Sequence, residues 1–166
     1  MGHSLFIFSL DNPSYPAHPL PDVEVSIIPP SVPKEYQTYM DSSELCFNPA
    51  IPGVLYASNR WELHINEKNK DSSLPPFKPE SPASGDAIAI VLLSGDGSKI
   101  ESVTHVRTAC DAVRGMQVSR DGKFVAVAGQ EGGGVEIWKI EGERGDDWKL
   151  AAKEHTLEQV TDIVWL

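Results

Sequence analysis

The chain has 166 residues, 40% of them hydrophobic, which suits one packed domain and argues against global disorder. Fourteen basic against twenty-four acidic residues leave a formal charge of −10, which argues against a nucleic-acid partner because such a partner calls for a basic stripe. No apolar run approaches the roughly 18 residues of a membrane span. The first ten residues lack a basic stretch and a small-residue cleavage site, and Cys46 and Cys110 have no metal-ligand spacing. A cytoplasmic chain without membrane contact or a metal cluster is expected.

In chain order, residues 4–10 (SLFIFSL) read as a strand ended by Asp11-Asn12-Pro13. Four prolines within 12–21 make a loop. Residues 23–28 (VEVSII) alternate with period two, as a half-buried strand does, and Pro29, Pro30 and Pro33 break them. Residues 41–106 hold four strands: ELCF, VLYAS, AIAIVLL and KIESVTHV. The stretch 66–85, with four prolines, interrupts them as a surface loop without regular structure. Asp96-Gly97 is a tight-turn pair between the last two strands. Residues 112–154 hold four more strands, beginning at 114–119 and continuing with FVAVAG, VEIWKI and WKLAAKE. Residues 120–123 (RDGK) and the segment EGERGDD form turns. Residues 106–113 are the only modest helix candidate. Residues 157–166 read as a terminal strand or a ring-closing piece.

The same unit is written twice. Residues 45–60 (LCFNPAIPGVLYASNR) match 116–130 (MQVSRDGKFVAVAGQ), and DAIAIVLL matches GGVEIWKI. Arg60 then aligns with Gln130, and Ile90 with Ile137. A repeated four-strand unit indicates a β-propeller, whose blades stack face to face. A β-sandwich also accommodates short strands at this spacing. The repeat favours an all-β, partial propeller of about two and a half blades: an outer half-blade over 1–35, blades over 41–106 and 112–154, and the terminal strand. A propeller cut in this way exposes unpaired strand edges, so self-association is expected.

The stretches YASNR, SRDGKFVAVAGQ and GGGVEIWKI resemble the seven-bladed lactonase propellers, a family that includes bacterial 6-phosphogluconolactonase and the fungal carboxy-cis,cis-muconate cyclase. The opening segment and the ending TDIVWL look more like the fungal members. The resemblance implies the carboxyl-terminal part of a seven-bladed ring. It also implies cofactor-free lactonization of 3-carboxy-cis,cis-muconate, an isomerase reaction of aromatic catabolism. The alternatives are a 6-phosphogluconolactonase-like hydrolase and a non-catalytic propeller fragment.

The resemblance places an active-site arginine at Arg60, where a guanidinium grips a carboxylate-rich substrate with two parallel hydrogen bonds. A structural alternative is an arginine that pairs with Glu62. His64 is the candidate proton-transfer group, because imidazole titrates near neutral pH, although a lone histidine in a loop often has no such role. Asn59 is a candidate donor to ligand or a satisfier of backbone groups. Trp61 walls the pocket or packs the loop. Arg114 either reaches the central channel or pairs with Asp111 to order the connection. Gln130 replaces Arg60 in the repeat and binds substrate by hydrogen bonds alone. His105 falls in an outer strand, remote from these residues, and Ile90, Ile137 and Trp138 read as core. The glycine-rich run 129–134 reads as a tight turn, since it lacks the spacing of a nucleotide-binding loop.

Overall fold

The structure is a computed structural model that describes residues 3–8, 19–70, 73–79 and 83–166, with backbone alone at 19 and 21–23. A hairpin comes first, β1 (Ser4–Phe8) with β2 (Pro19–Ser26). Two four-stranded antiparallel blades follow. The first has the order β3 (Asp41–Phe47), β4 (Val54–Arg60), β5 (Ala87–Leu93), β6 (Ile100–Arg107). The second has the order β7 (Asp111–Val118), β8 (Phe124–Gly132), β9 (Val135–Glu141), β10 (Asp147–Glu154). This is an all-β, partial propeller. Residues 9–18 of the expected first strand and loop lie outside the described residues. The second strand starts earlier than the alternation indicates, at Pro19, and ends before Ile27.

The blades stack because β4 and β5 are apolar on both faces. Tyr56 and Ile90 are directly paired across β4 and β5, as Ala126 and Ile137 are across β8 and β9, so the repeat alignment carries through to register. From the first blade, Val54, Tyr56, Ile88 and Ile90 pack against Met116, Val125, Val127 and Trp148 of the second. The opposite face of β4 and β5 presents Leu55, Ala57, Ala89 and Val91, which Ile27 and Leu5 cover. The hairpin thus lies over the middle and outer strands. On the inner strand, Leu45 and Phe47 remain 51% and 63% exposed. Ile90 is core, whereas Ile137 and Trp138 are half-buried.

Three expectations change. Residues 106–113 are not helical: they end β6, turn and begin β7. Residues 157–166 form no strand. They run over the β7–β8 face, where Asp162 sits against Gly115, and the Trp165 indole donates to the Gln117 carbonyl at 2.9 Å. Pairing with β7 is unavailable to them on that face, because a strand bonds at its edges and not through its side chains. The proline-rich interruption also carries order. A 3-10 helix (Glu62–His64) leads into a single helical turn, α1 (Ile65–Lys68). Phe77 is buried against Tyr36 at 5.2 Å between ring centroids, in a small core shared with Ile65, Met40 and Val32. Prolines forbid regular hydrogen bonding but not the burial of an aromatic ring between them.

The end of the blade interface away from Arg60 is closed by one network. Asn48 is buried; its carbonyl accepts from the backbone of Ala50 and Ile51, and its amide donates to the Gly122 carbonyl and the Tyr56 hydroxyl. Tyr56 in turn donates to the Gly145 carbonyl at 2.9 Å. Gly122 has φ +71°, and a Cβ there would sit 2.4 Å from the Asn48 oxygen, so glycine is required on both counts.

Candidate functional site

The other end of the interface gathers the carboxyl ends of β4 and β8 with the start of β7. One strand length, about 20 Å, separates it from the Asn48 network. Arg60 closes β4, Gln130 lies near the end of β8, and Arg114 follows the bulged start of β7. Arg60 Nη2 donates to Gln130 Oε1 at 3.0 Å, and Arg114 Nη1 donates to the same oxygen at 3.3 Å. Two guanidinium groups therefore converge on one neutral acceptor. Among the described residues neither arginine has a carboxylate within ion-pair distance. Arg60 Nε is buried without a hydrogen-bond partner, a donor whose desolvation costs on the order of 1–3 kcal/mol.

Trp61 forms the neighbouring wall. The Arg60 guanidinium lies 4.7 Å from its ring centroid, and Lys68 Nζ lies 4.5 Å from it. Lys68 also reaches Asp41 at 3.3 Å. Trp61 adopts φ 77°, a conformation bulky residues avoid. Asp86 holds it there, accepting the Trp61 and Glu62 amides at 3.2 and 2.9 Å. One buried side chain thus fixes the left-handed Trp61 from beneath. Ala112, at the start of β7, is a second non-glycine residue at positive φ, 51°. Burial pushes the Asp86 carboxyl up to about 6; the Glu62 amide counters this, Asp111 adds to it, and the Trp61 and Ala112 amides counter it further.

His64 stands edge-on to Trp61, with centroids 5.3 Å apart. Its Nε2 meets Asp111 at 2.9 Å and its Nδ1 meets Glu67 at 3.2 Å. His64 is therefore not a lone loop histidine, and Asp111 is engaged by His64 rather than by Arg114. Glu62 pairs with Arg107 rather than with Arg60. Asn59 is not brought into the cluster. It is fully buried, its amide donates to the carbonyls of Ile27 at 2.7 Å and Ala87 at 3.2 Å, and it joins the hairpin to the first blade. His105 also serves that junction, bonding the Ile27 carbonyl at 2.8 Å. The run 129–134 ends β8 and turns into β9, with Gly133 and Gly134 at positive φ. Beside Gln130 opens a cleft of about 370 Å³, lined also by Glu131, Gly133, His155 and Leu157. Gln130 is the residue shared by the cleft and the arginine pair.

The family model for seven-bladed β-propeller lactonases matches residues 24–165. The chain belongs to this lactonase family. Among solved structures, this lactonase-family chain is similar to a putative 6-phosphogluconolactonase from Bacteroides fragilis, with a TM-score of 0.66 at 16% identity. The match covers 97% of the chain and 35% of that protein, so the chain spans about a third of its length. At that identity the likeness speaks for the fold. No curated protein matches. No helix among the described residues is long and apolar enough to cross a membrane.

Sequence reasoning singled out Arg60, Arg114, Gln130 and His64, and the fold assembles all four at one end. It missed Asp86, Asp111 as a partner of His64, and Lys68. The available signal for Asp86 was an acidic residue placed directly before an uninterrupted apolar strand, where a solvated carboxylate is not expected.

Proposed function

We propose that the Arg60 end is the anion-holding part of a lactonase-type site. Its ligand is a lactone, or the corresponding open acid, that carries a carboxylate or phosphate. The observation that carries this reading is the convergence of Arg60 and Arg114 on the single oxygen of Gln130. Like charges brought together around a neutral amide leave an uncompensated positive field. An anionic oxygen placed there accepts charge-assisted bonds, stronger than those the amide accepts. Trp61, stacked by Arg60 and Lys68, holds both cations at this end, and the cleft beside Gln130, lined also by Glu131 and Glu158, offers room at the lower end of small-ligand sites. Family membership supports lactone chemistry, and the Bacteroides neighbour supports a phosphorylated sugar acid as the ligand class.

3-Carboxy-cis,cis-muconate, the substrate implied by the sequence resemblance, presents carboxylates to the same clamp and is the natural comparison ligand. Calorimetry on the full chain with 6-phosphogluconate, 3-carboxy-cis,cis-muconate and uncharged gluconolactone tests the reading. Saturable binding of an anionic ligand, absent for gluconolactone and weakened in Arg60→Ala, is expected. Equal indifference to all three sinks the proposal, and selective binding of the muconate moves it to the cyclase reaction.

A further inference from the structure

We infer that His64 is a cationic positioning residue, a pin that joins the Trp61–Lys68 segment of the first blade to β7 of the second and so holds the anion site together. This rests on the anion-site reading above and assigns His64 a role other than proton transfer. The geometry makes the argument. Both ring nitrogens face carboxylates, Nε2 toward Asp111 at 2.9 Å and Nδ1 toward Glu67 at 3.2 Å. A neutral imidazole carries one N–H, so one nitrogen lone pair would point at a carboxylate oxygen; an imidazolium donates from both nitrogens. With both protons engaged, neither is aimed at a substrate.

The contact also bridges blades. Asp111 starts β7, three residues before Arg114, whereas His64 ends the 3-10 helix that follows Arg60 and Trp61. Losing the pin leaves Trp61 held by Asp86 and its stacked cations alone. The charged groups around it are Glu67 on α1, Asp111 on β7 and Asp86 at the head of β5, with Arg60 and Lys68 flanking Trp61 and Asp41 behind Lys68. Burial lowers the imidazole pKa, but the bonds to Asp111 and then Glu67, with their charges, outweigh it, and the net direction is upward. A raised histidine pKa contributes stability that is fully present below the unfolded value of about 6.5 and is lost as pH rises through the folded value.

Long-range proton–nitrogen NMR of the full chain reads the state of His64 directly. At pH 7 both ring nitrogens are expected to show the imidazolium pattern, with a titration midpoint above that of a free histidine. Asp111→Asn lowers the midpoint, and Glu67→Gln lowers it less, since Glu67 is 66% exposed and Asp111 16%. A neutral single-tautomer pattern at pH 7, or a midpoint unmoved by Asp111→Asn, overturns the inference.

Sulfate stays dianionic throughout this range and reports on the clamp. Its affinity is expected to fall on the order of fivefold between pH 6 and pH 9 in the natural chain, a typical coupling between linked sites. In His64→Gln it should be weaker, and flat with pH above about 7, where Asp86 is already ionised. Sulfate affinity that is the same in His64→Gln as in the natural chain contradicts the coupling. Failure of sulfate to bind the natural chain at any pH removes the anion-site reading instead, and the NMR result then decides the state of His64 by itself.

Discussion

The two ends of the blade interface are built on opposite principles. At the Asn48 end each polar group of the asparagine finds a partner, and no charge is involved: amide, hydroxyl and backbone carbonyls close on one another around Tyr56. At the Arg60 end two cations share a neutral oxygen, and two non-glycine residues sit at positive φ. A satisfied network holds blades together. An end left electrically incomplete costs stability and is what a ligand-binding site looks like before its ligand arrives. Substitutions at the Asn48 end should therefore change stability and spare anion binding, and those at the Arg60 end should do the reverse.

Asp86 is where this division should blur most, since it organises the ligand end from beneath. Asp86→Ala orphans two backbone amides and is expected to cost about 2–3 kcal/mol in urea unfolding, with anion binding lost as well. The same carboxylate gives a pH signature. Its folded pKa, about 6, lies above the ordinary value of 3.8, so the folded chain holds a proton that the unfolded chain has released. Its contribution to stability therefore declines as pH rises from about 4 to 6 and recovers as pH falls. Urea midpoints across this window should show that trend in the natural chain minus Asp86→Asn. A difference that runs the other way contradicts the assignment.

Asn48→Ala should cost about 2–3 kcal/mol, because two amides and a carbonyl lose their partner in a buried place. It should leave anion affinity unchanged at temperatures where the chain is folded. Arg60→Ala should do the converse. Stability should be nearly unchanged, since removing one of two neighbouring like charges offsets the lost hydrogen bond, while anion affinity falls roughly ten- to a hundredfold. Arg114→Ala, at the exposed side of the pair, should act in the same direction by less.

How much of this was legible in the sequence depends on whether the determinant is periodic. The repeat at 45–60 and 116–130 carried the two blades, the equivalence of Arg60 with Gln130 and that of Ile90 with Ile137, because each is a position within a recurring unit. The first equivalence brought Arg60 and Gln130 into hydrogen-bond contact 70 residues apart. The His64–Asp111 contact spans 47 residues and belongs to no repeat, so no pattern announced it. Asn59 next to Arg60 looked equally available, but alternation along β4 turns it to the opposite face, into the hairpin junction. The helical turn and buried Phe77 were hidden by the surrounding prolines, whose count says where ladders fail and not where a ring packs. The tail at 157–166 has strand-like composition but lies across a face rather than along an edge.

The most direct test of the central claim is Gln130→Glu, examined for thermal stability and for sulfate or 6-phosphogluconate affinity on the same samples. A carboxylate at this position supplies the negative oxygen that the two guanidinium groups lack. The expected result is a gain of about 1 kcal/mol, modest because the pair is partly exposed, together with loss of anion binding, since the clamp is then occupied from within. A variant that is no more stable than the natural chain and binds anions undiminished would show that Arg60 and Arg114 are not a charge-deficient pair, and that the Arg60 end is as structural as the Asn48 end.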